Sequence, residues 1–502
     1  MNQRKAGTVL SYLHIFLSNT ISIIYTPYML RLMGQSEYGL FGTANSFISY
    51  LSLLSFGIAG SYIRFNTRCR AAGDREEEKR LNGMFLTVFS VLAGLVLVGG
   101  LLCTALAGEL VEDTFTSDEL MKLRIIMLLL TVNTVISFLF NVVMMALQAY
   151  EKYIVLRTVS LVTGIITPVV NIIALYFGGR AVALSVLSLV ISILTYLFYL
   201  FYARRSIKLG VSFKGFRKDV LKEIFVFSGF LFLNSITDQI TFSTDNIILS
   251  AVHGTSVVAV YTVGANFKNY FQQFSSSVSS VFAPKVNLMV AHYEGADTLT
   301  EVFTRIGRIQ FYIISLVLIG YLSIGQDFVR LWAGEDYSDA FYIGLLLMLA
   351  VLVPAFQNIG LEIQKAMNKH KARSVVYFLV ALINILLTIP FSQWWGGIGA
   401  ALATTICWFF GSVVWMNWYY HRRIGLDMIA FWKSIVSILP GYLPACLVGF
   451  LINRFWPIDS LIEVLLAAAV ISGTFAVSTF FFSMNSYEKG LVTAPFKKIM
   501  KR

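Results

Sequence analysis

Runs of about twenty apolar residues recur along the whole chain, and a run of that length, helical at 1.5 Å per residue, crosses roughly 30 Å of hydrocarbon. In that medium every backbone N–H and C=O must be satisfied internally, which leaves only helices and closed barrels. Barrel strands are shorter, with apolar and polar residues alternating; the runs here are continuous. Composition agrees. Of 502 residues, 57% are hydrophobic and 13% charged, with a mean hydropathy of +0.73, against about 25% charged in soluble domains. The chain is therefore expected to be an all-α integral membrane protein. Fourteen transmembrane helices are predicted, from 8–30 and 43–64 through to 434–453 and 461–483.

A net charge of +12 invites a nucleic-acid reading, so the positions of the basic residues decide the matter. With the N-terminus placed inside, 31 of the 39 Lys and Arg fall in the N-tail, the inner loops and the C-tail, 6 in or beside the outer loops and 2 (Arg64, Lys268) within spans. That asymmetry is the positive-inside pattern, and it predicts both termini in the cytoplasm with no nucleic-acid partner. The start MNQRK fits an uncleaved start-in helix. The basic stretch from Arg204 to Lys222 can in addition hold anionic lipid headgroups. Cys69 falls in a basic loop and Cys103, Cys407 and Cys446 in apolar runs, a spacing that fits neither a disulfide framework nor a metal site.

A half-length repeat is visible. At an offset of 218, Gly179, Ala183 and Leu184 fall on Gly397, Ala401 and Leu402, and Arg204-Arg205 on Arg422-Arg423. At 220, Gly34 and Ser36 fall on Gly254 and Ser256. The reading is two parallel six-helix lobes around a central cleft, 1–210 and 211–430, followed by helices 13 and 14 with a basic cytoplasmic tail, 431–502.

Polar side chains are costly in hydrocarbon unless they face a cavity or a partner, so their distribution marks the inner surface. Helix 7 carries Asn234, Asp238, Gln239, Thr244, Asp245 and Asn246; helix 8 carries Asn266, Lys268, Asn269, Gln272, Gln273 and a run of serines. Helix 1 adds His14, Ser18 and Ser22, and helix 2 Asn45, Ser46 and Ser49. Helices 5, 6, 13 and 14 are greasier and are expected to face outward. Asp238 and Lys268 each lie 15 residues from His253 at the helix 7–8 turn, roughly 22 Å along their helices, so they share a depth. Two readings stay open. They form a structural ion pair that locks the hairpin, or Lys268 meets an anionic substrate while Asp238 or Asp245 binds a coupling cation or proton. Arg31 and Arg64 serve as interfacial anchors or as further substrate cations.

The stretch RLMGQSEYGLFG (Arg31 to Gly42), with LSFGIAGSYIRF (Leu54 to Phe65), resembles the opening signature of the polysaccharide transporter family, the Wzx-type oligosaccharide flippases of the multidrug/oligosaccharidyl-lipid/polysaccharide (MOP) superfamily. The stretch from Asp245 to Phe267 resembles the same signature in a second lobe. Met33-Gly34-Gln35 stands where many relatives read Leu-Gly-Pro. The resemblance implies a non-enzymatic transporter of a bacterial plasma membrane, without cofactor, that flips polyprenyl-diphosphate-linked oligosaccharide by alternating access, driven by Na+ or H+ where coupled, alongside glycan assembly enzymes. On that reading Arg64, Lys268, Arg31, Asn45, Asn269 and Gln272 contact substrate, and Asp238 and Asp245 handle the coupling ion. A cation-coupled drug antiporter of the same superfamily is the nearest rival. A membrane glycosyltransferase or polymerase would need a catalytic loop, and the sequence shows no nucleotide loop, metal cluster or nucleophile–base arrangement.

Overall fold

The computed structural model describes residues 3–55, 58–215, 218–292, 295–367, 369 and 371–499, and all their regular secondary structure is helical. In chain order the α-helices are α1 (Gln3–Met33), α2 (Gln35–Ser52), α3 (Ile58–Ala71), α4 (Arg75–Val111), α5 (Ser117–Ala149), α6 (Tyr153–Tyr176), α7 (Ala181–Ser206), α8 (Lys218–His253) and α9 (Thr255–Ala291). They continue with α10 (Ala296–Ala333), α11 (Asp339–Phe356), α12 (Asn358–Ala366), α13 (Lys371–Trp408), α14 (Met416–Tyr419), α15 (Met428–Val436), α16 (Leu443–Phe455), α17 (Leu461–Phe482) and α18 (Ser486–Ile499). Among the described residues, ten helical segments are long and apolar enough to cross a membrane. The protein is an all-α membrane protein. One segment, Lys371–Ile424, has 54 residues, about 80 Å at 1.5 Å per residue, and breaks at Trp395 and Gly396 (φ 55°). The sequence concentrates Ser, Thr, Asn and Gln in α1, α8 and α9.

Helix boundaries follow local chemistry. Thr116 and Glu119 form a capping box at the start of α5, and Ser460 and Glu463 another at α17, each satisfying backbone N–H groups that the helix cannot. Asp74 caps α4 and Asp427 caps α15. Gly34 (φ 85°) and Gly254 (φ 80°) are each the single residue between two helices, a left-handed backbone that costs glycine little. Gly34 and Gly254, paired by the repeat, thus share a positive φ, and Gly178 (φ 85°) and Gly396 (φ 55°), 218 residues apart, do so as well. Two details differ from the sequence reading. The stretch read as helix 2 lies in one candidate span, Gln35–Ala71, that carries a 3-10 turn at Leu53–Ser55, and Cys69 lies on α3, not in a loop. All four cysteines are free thiols.

The chain forms two compact units, Met1–Ala259 and Val260–Arg502. In the first, α1 packs on α6, α2 and α4 on α5, α5 on α7, and α8 on α2. By repeat, α8 opens the second half; by packing, it belongs with the first. At one end of this unit a buried polar network holds four elements together. The Tyr62 hydroxyl donates to Asn82 Oδ1 (2.7 Å), the Tyr150 hydroxyl to Glu78 (2.8 Å) and the Asn66 amide to Glu78 (3.3 Å). Burial, then the hydrogen bond and charge of Glu78, push the Tyr150 hydroxyl above the ordinary phenol range. Asn82 Nδ2 donates to Gly210 O (2.8 Å) and Ser212 N to Lys79 O (2.9 Å), pinning the segment after α7 to α4. A Cβ at Gly83 would lie 2.0 Å from the Ser212 carbonyl oxygen. Gly83→Ala should therefore destabilise the unit by about 1–3 kcal/mol, read as a lowered thermal midpoint in detergent; an unchanged midpoint would show that the segment is not clamped.

In the second unit α10 is central, packing on α11, α15, α16 and α17, with 56% of its most apolar stretch buried against 11% for α6 of the first. Phe303, Phe356 and Phe431 form its aromatic core, Phe303 and Phe431 with ring centroids 4.7 Å apart. The side chain of Arg308 on α10 is 8% exposed and that of Glu488 on α18 3%, and they meet as an ion pair with Arg308 Nε to Oε1 at 2.5 Å and Nη2 to Oε2 at 2.9 Å. The same guanidinium donates to the carbonyls of Ser434 (2.8 Å) and Ser483 (3.0 Å). One buried arginine thus ties α10, α15, the end of α17 and α18.

Candidate functional site

The polar residues of α9 sort onto two faces. Lys268, Ser275 and Ser279 are buried beside Phe267 and Phe271. There Gln310 on α10 donates to Ser279 Oγ (2.7 Å) and Ser275 O (3.1 Å), while Ser275 Oγ donates to Ala355 O. These two serines are packing groups. Asn269, Gln272, Gln273 and Ser276 are exposed, at the i, i+3, i+4, i+7 spacing that places them on one helix face. Hydrocarbon would leave such a stripe unsatisfied, so it suits a wet surface.

On α8 the polar side chains meet α2 directly. Asn246 Nδ2 donates to Ser46 Oγ (3.0 Å), the Gln239 amide bonds Ser49 Oγ, and the Tyr50 hydroxyl bonds Thr244 Oγ1. Between these contacts Asp245 is completely buried. The cleft-lining role read for helices 2 and 7 thus takes the form, over this stretch, of a seam of neutral hydrogen bonds. Asn45, on the neighbouring face of α2, is exposed and donates to its own helix at Phe41 O (2.7 Å). Arg31 is exposed in the last turn of α1, and Arg64 is exposed on α3, which runs on to Ala71. Arg64 therefore does not end its helix. The side chains of Asp238 and His14 lie outside the described residues.

Two features escaped the sequence reading. Asn384 is buried on α13, donating to Thr404 Oγ1 (3.0 Å) and Thr388 Oγ1 (3.4 Å), while its own Oδ1 meets no donor among the described residues. On α6, taken for a greasy helix, Ser160, Thr163 and Thr167 face Ser18, Ser22 and Tyr25 of α1 across a cavity of about 510 Å³. The signal was there: 160, 163, 167 and 171 recur at helical spacing, and Asn171 donates to the Tyr25 hydroxyl (3.1 Å). A second cavity, about 460 Å³, lies beside Arg305, Arg308 and Tyr487.

The model of the polysaccharide biosynthesis protein family matches residues 5–286, more than half of the chain. The chain belongs to that family. This polysaccharide biosynthesis protein is 23% identical over 515 aligned residues, 96% of each chain, to the uncharacterized membrane protein EpsK of Bacillus subtilis (strain 168). It is 21% identical to the probable flippase AglR of Haloferax volcanii, over 78% of this chain and 79% of that one. Among solved structures, the lipid II flippase MurJ in an inward closed conformation superposes with a TM-score of 0.74 at 15% identity, covering 95% of this chain and 98% of that one. An inward-facing multidrug resistance MATE family transporter of the MOP superfamily gives 0.63 at 15% identity, over 83% and 95%. At such identities the likeness fixes the fold: this member of the polysaccharide biosynthesis family has the fold of MOP transporters.

Proposed function

We propose that the protein is a flippase that carries a polyprenyl-diphosphate-linked oligosaccharide from the cytoplasmic to the outer leaflet of a bacterial plasma membrane, by alternating access, in the synthesis of surface polysaccharide. The carrying observation is the exposed stripe Asn269, Gln272, Gln273 and Ser276 on α9, a polar helix face among apolar spans. A glycan needs such a surface to cross, while its polyprenyl tail stays in lipid. The probable flippase and the lipid II flippase among its relatives support a lipid-linked cargo.

On this reading the chain crosses fourteen times with both termini cytoplasmic. It is built from lobes 1–210 and 211–430 and a 431–502 extension, and the positive φ common to Gly34 and Gly254 supports the repeat. Lys268, Arg64 and Arg31 offer positive charge to the diphosphate, and Asn45, Asn269 and Gln272 hydrogen-bond sugar hydroxyls. Asp245 and Asp238 handle a coupling Na+ or H+, and the inner face adjoins the glycan assembly enzymes. Deleting the gene in the native host should make a lipid-linked saccharide accumulate on the cytoplasmic side with loss of the surface polymer. An unchanged saccharide pool with intact polymer would overturn the proposal.

A further inference from the structure

We propose that Glu119 holds the outer end of the first unit shut, tying the tip of the α8–α9 hairpin to α2 and α5, and that this tie breaks when the path opens outward. The inference rests on the transport reading and on its orientation of the chain.

Three helix N-termini converge on this carboxylate: α2 after Gly34, α5 after Thr116 and α9 after Gly254. A negative charge is favoured there by the partial positive charge of each helix end. Oε2 accepts from Thr116 N (2.9 Å) and Thr116 Oγ1 (2.9 Å), which completes the α5 capping box. Capping accounts for that oxygen only. Oε1 accepts from Ser36 Oγ (2.5 Å) and Thr255 Oγ1 (3.0 Å), 83 and 136 residues away in sequence. A second contact reinforces the first: a Cβ on Gly39 would sit 1.9 Å from the Thr255 carbonyl oxygen, so the hairpin tip lies on α2 at a distance only glycine permits. A third joins Thr114 Oγ1 to Ser250 O at 2.7 Å.

The strength of these ties differs by partner. Within the framework of α2, α5, α7 and the end of α1 the links are ionic or charge-assisted. Lys122 Nζ lies 2.7 Å from both Glu37 and Asp118, Glu37 accepts from Ala181 N (3.2 Å), and Arg180 donates to Met33 O (2.5 Å). At the hairpin tip Thr255 gives its hydroxyl to Glu119 and lays its carbonyl oxygen on Gly39, and Ser250 gives its carbonyl oxygen to Thr114. Below them the Asn246–Ser46 and Gln239–Ser49 hydrogen bonds join neutral groups. A hydrogen bond from a neutral hydroxyl exchanges for water at modest net cost, somewhat more where the acceptor is a carboxylate, as at Glu119. The framework is braced to stay while the hairpin is seated to leave, and the residues that seat it, Ser36 and Gly39, belong to the Arg31 to Gly42 signature.

The test uses the full-length protein in cells, with Cys69, Cys103, Cys407 and Cys446 replaced and Asn246→Cys added beneath the tie. Labelling by a membrane-impermeant maleimide from outside should run roughly tenfold faster in Gly39→Ala, and likewise in the Ser36→Ala/Thr255→Val pair, than in the parent, the change expected from weakening the closed state by one or two hydrogen bonds. Equal labelling in variants that keep their level and thermal midpoint would overturn the proposal. Should Gly39→Ala fail to fold, the pair, which removes hydroxyls without adding bulk, carries the test alone. Conversely, Ser36→Cys with Thr255→Cys, bridged by a short bis-methanethiosulfonate, should stop export and recover it on reduction; export undiminished by complete bridging would also overturn it. The labelling does not depend on the cargo, so a different substrate would leave that result standing, whereas unchanged labelling with intact export removes the tie and spares the transport reading.

Discussion

Lys268→Ala should abolish glycan export from a protein that is still inserted and folded, and Lys268→Arg should keep part of the activity because the charge remains. Lys268 is 4% exposed on α9, next to the exposed Asn269 and one turn before Gln272. A lysine so placed can bury its methylene stem and send the ammonium toward the wet face, where a diphosphate is the strongest anion a lipid-linked glycan offers. The competing role is as ion partner of Asp238. In that case each single replacement strands a buried charge and costs about 3–5 kcal/mol, and the Asp238→Ala/Lys268→Ala double variant should restore both thermal stability and export. Export assayed by recovery of surface polymer in a deletion host, with the thermal midpoint measured in parallel, separates the two. Restored export with neither charge present would sink the substrate contact. Asp245 is the internal control, two turns along α8 from Asp238 and fully buried. Loss of ion dependence in Asp245→Asn with substrate binding retained would mark coupling.

The fold was legible because hydrophobic runs of membrane length leave so few alternatives, and because Gly34 and Gly254, each the single residue between two helices, take a positive φ that costs glycine little. The site was legible only by residue type. The sequence placed Ser275 and Ser276 in one polar run, yet the first packs against α10 and α11 while the second is exposed; which face turns inward depends on a partner helix no local pattern names. The hydroxyls of α6 were passed over for a different reason. Ser160 and Thr163 bond their own backbone at Leu156 O (2.9 Å) and Val159 O (3.0 Å), so they sit in an apolar run at little cost and hardly register in its hydropathy. In the sequence Glu119 is one acid among several, with Glu109, Glu112, Asp113 and Asp118. Its meaning comes from Ser36 and Thr255, which only the folded chain brings to it.

The Arg308–Glu488 pair spans 180 residues of sequence and was equally invisible, and breaking it should give the largest loss of stability of any single substitution in the second unit. Arg308 has both its Nε and Nη2 on the carboxylate and donates to two backbone carbonyls, and Glu488 also accepts from Asn485 N (2.9 Å). Desolvating two charges is offset only while both are present and hydrogen-bonded. Arg308→Leu leaves a buried carboxylate and Glu488→Leu a buried guanidinium, so each should cost about 3–5 kcal/mol. The Arg308→Met/Glu488→Leu double variant should recover much of that loss, since packed apolar side chains of similar volume often replace a buried pair without penalty. Thermal denaturation in detergent gives the ordering. Limited proteolysis between Phe482 and Tyr487 adds a readout specific to the geometry, because α18 is tied to α10 through this carboxylate. Single variants should be cut there faster than the parent, and the double variant less so. Equal cleavage in all three would mean that α18 is held by its other contacts and that the pair acts only within the unit's core.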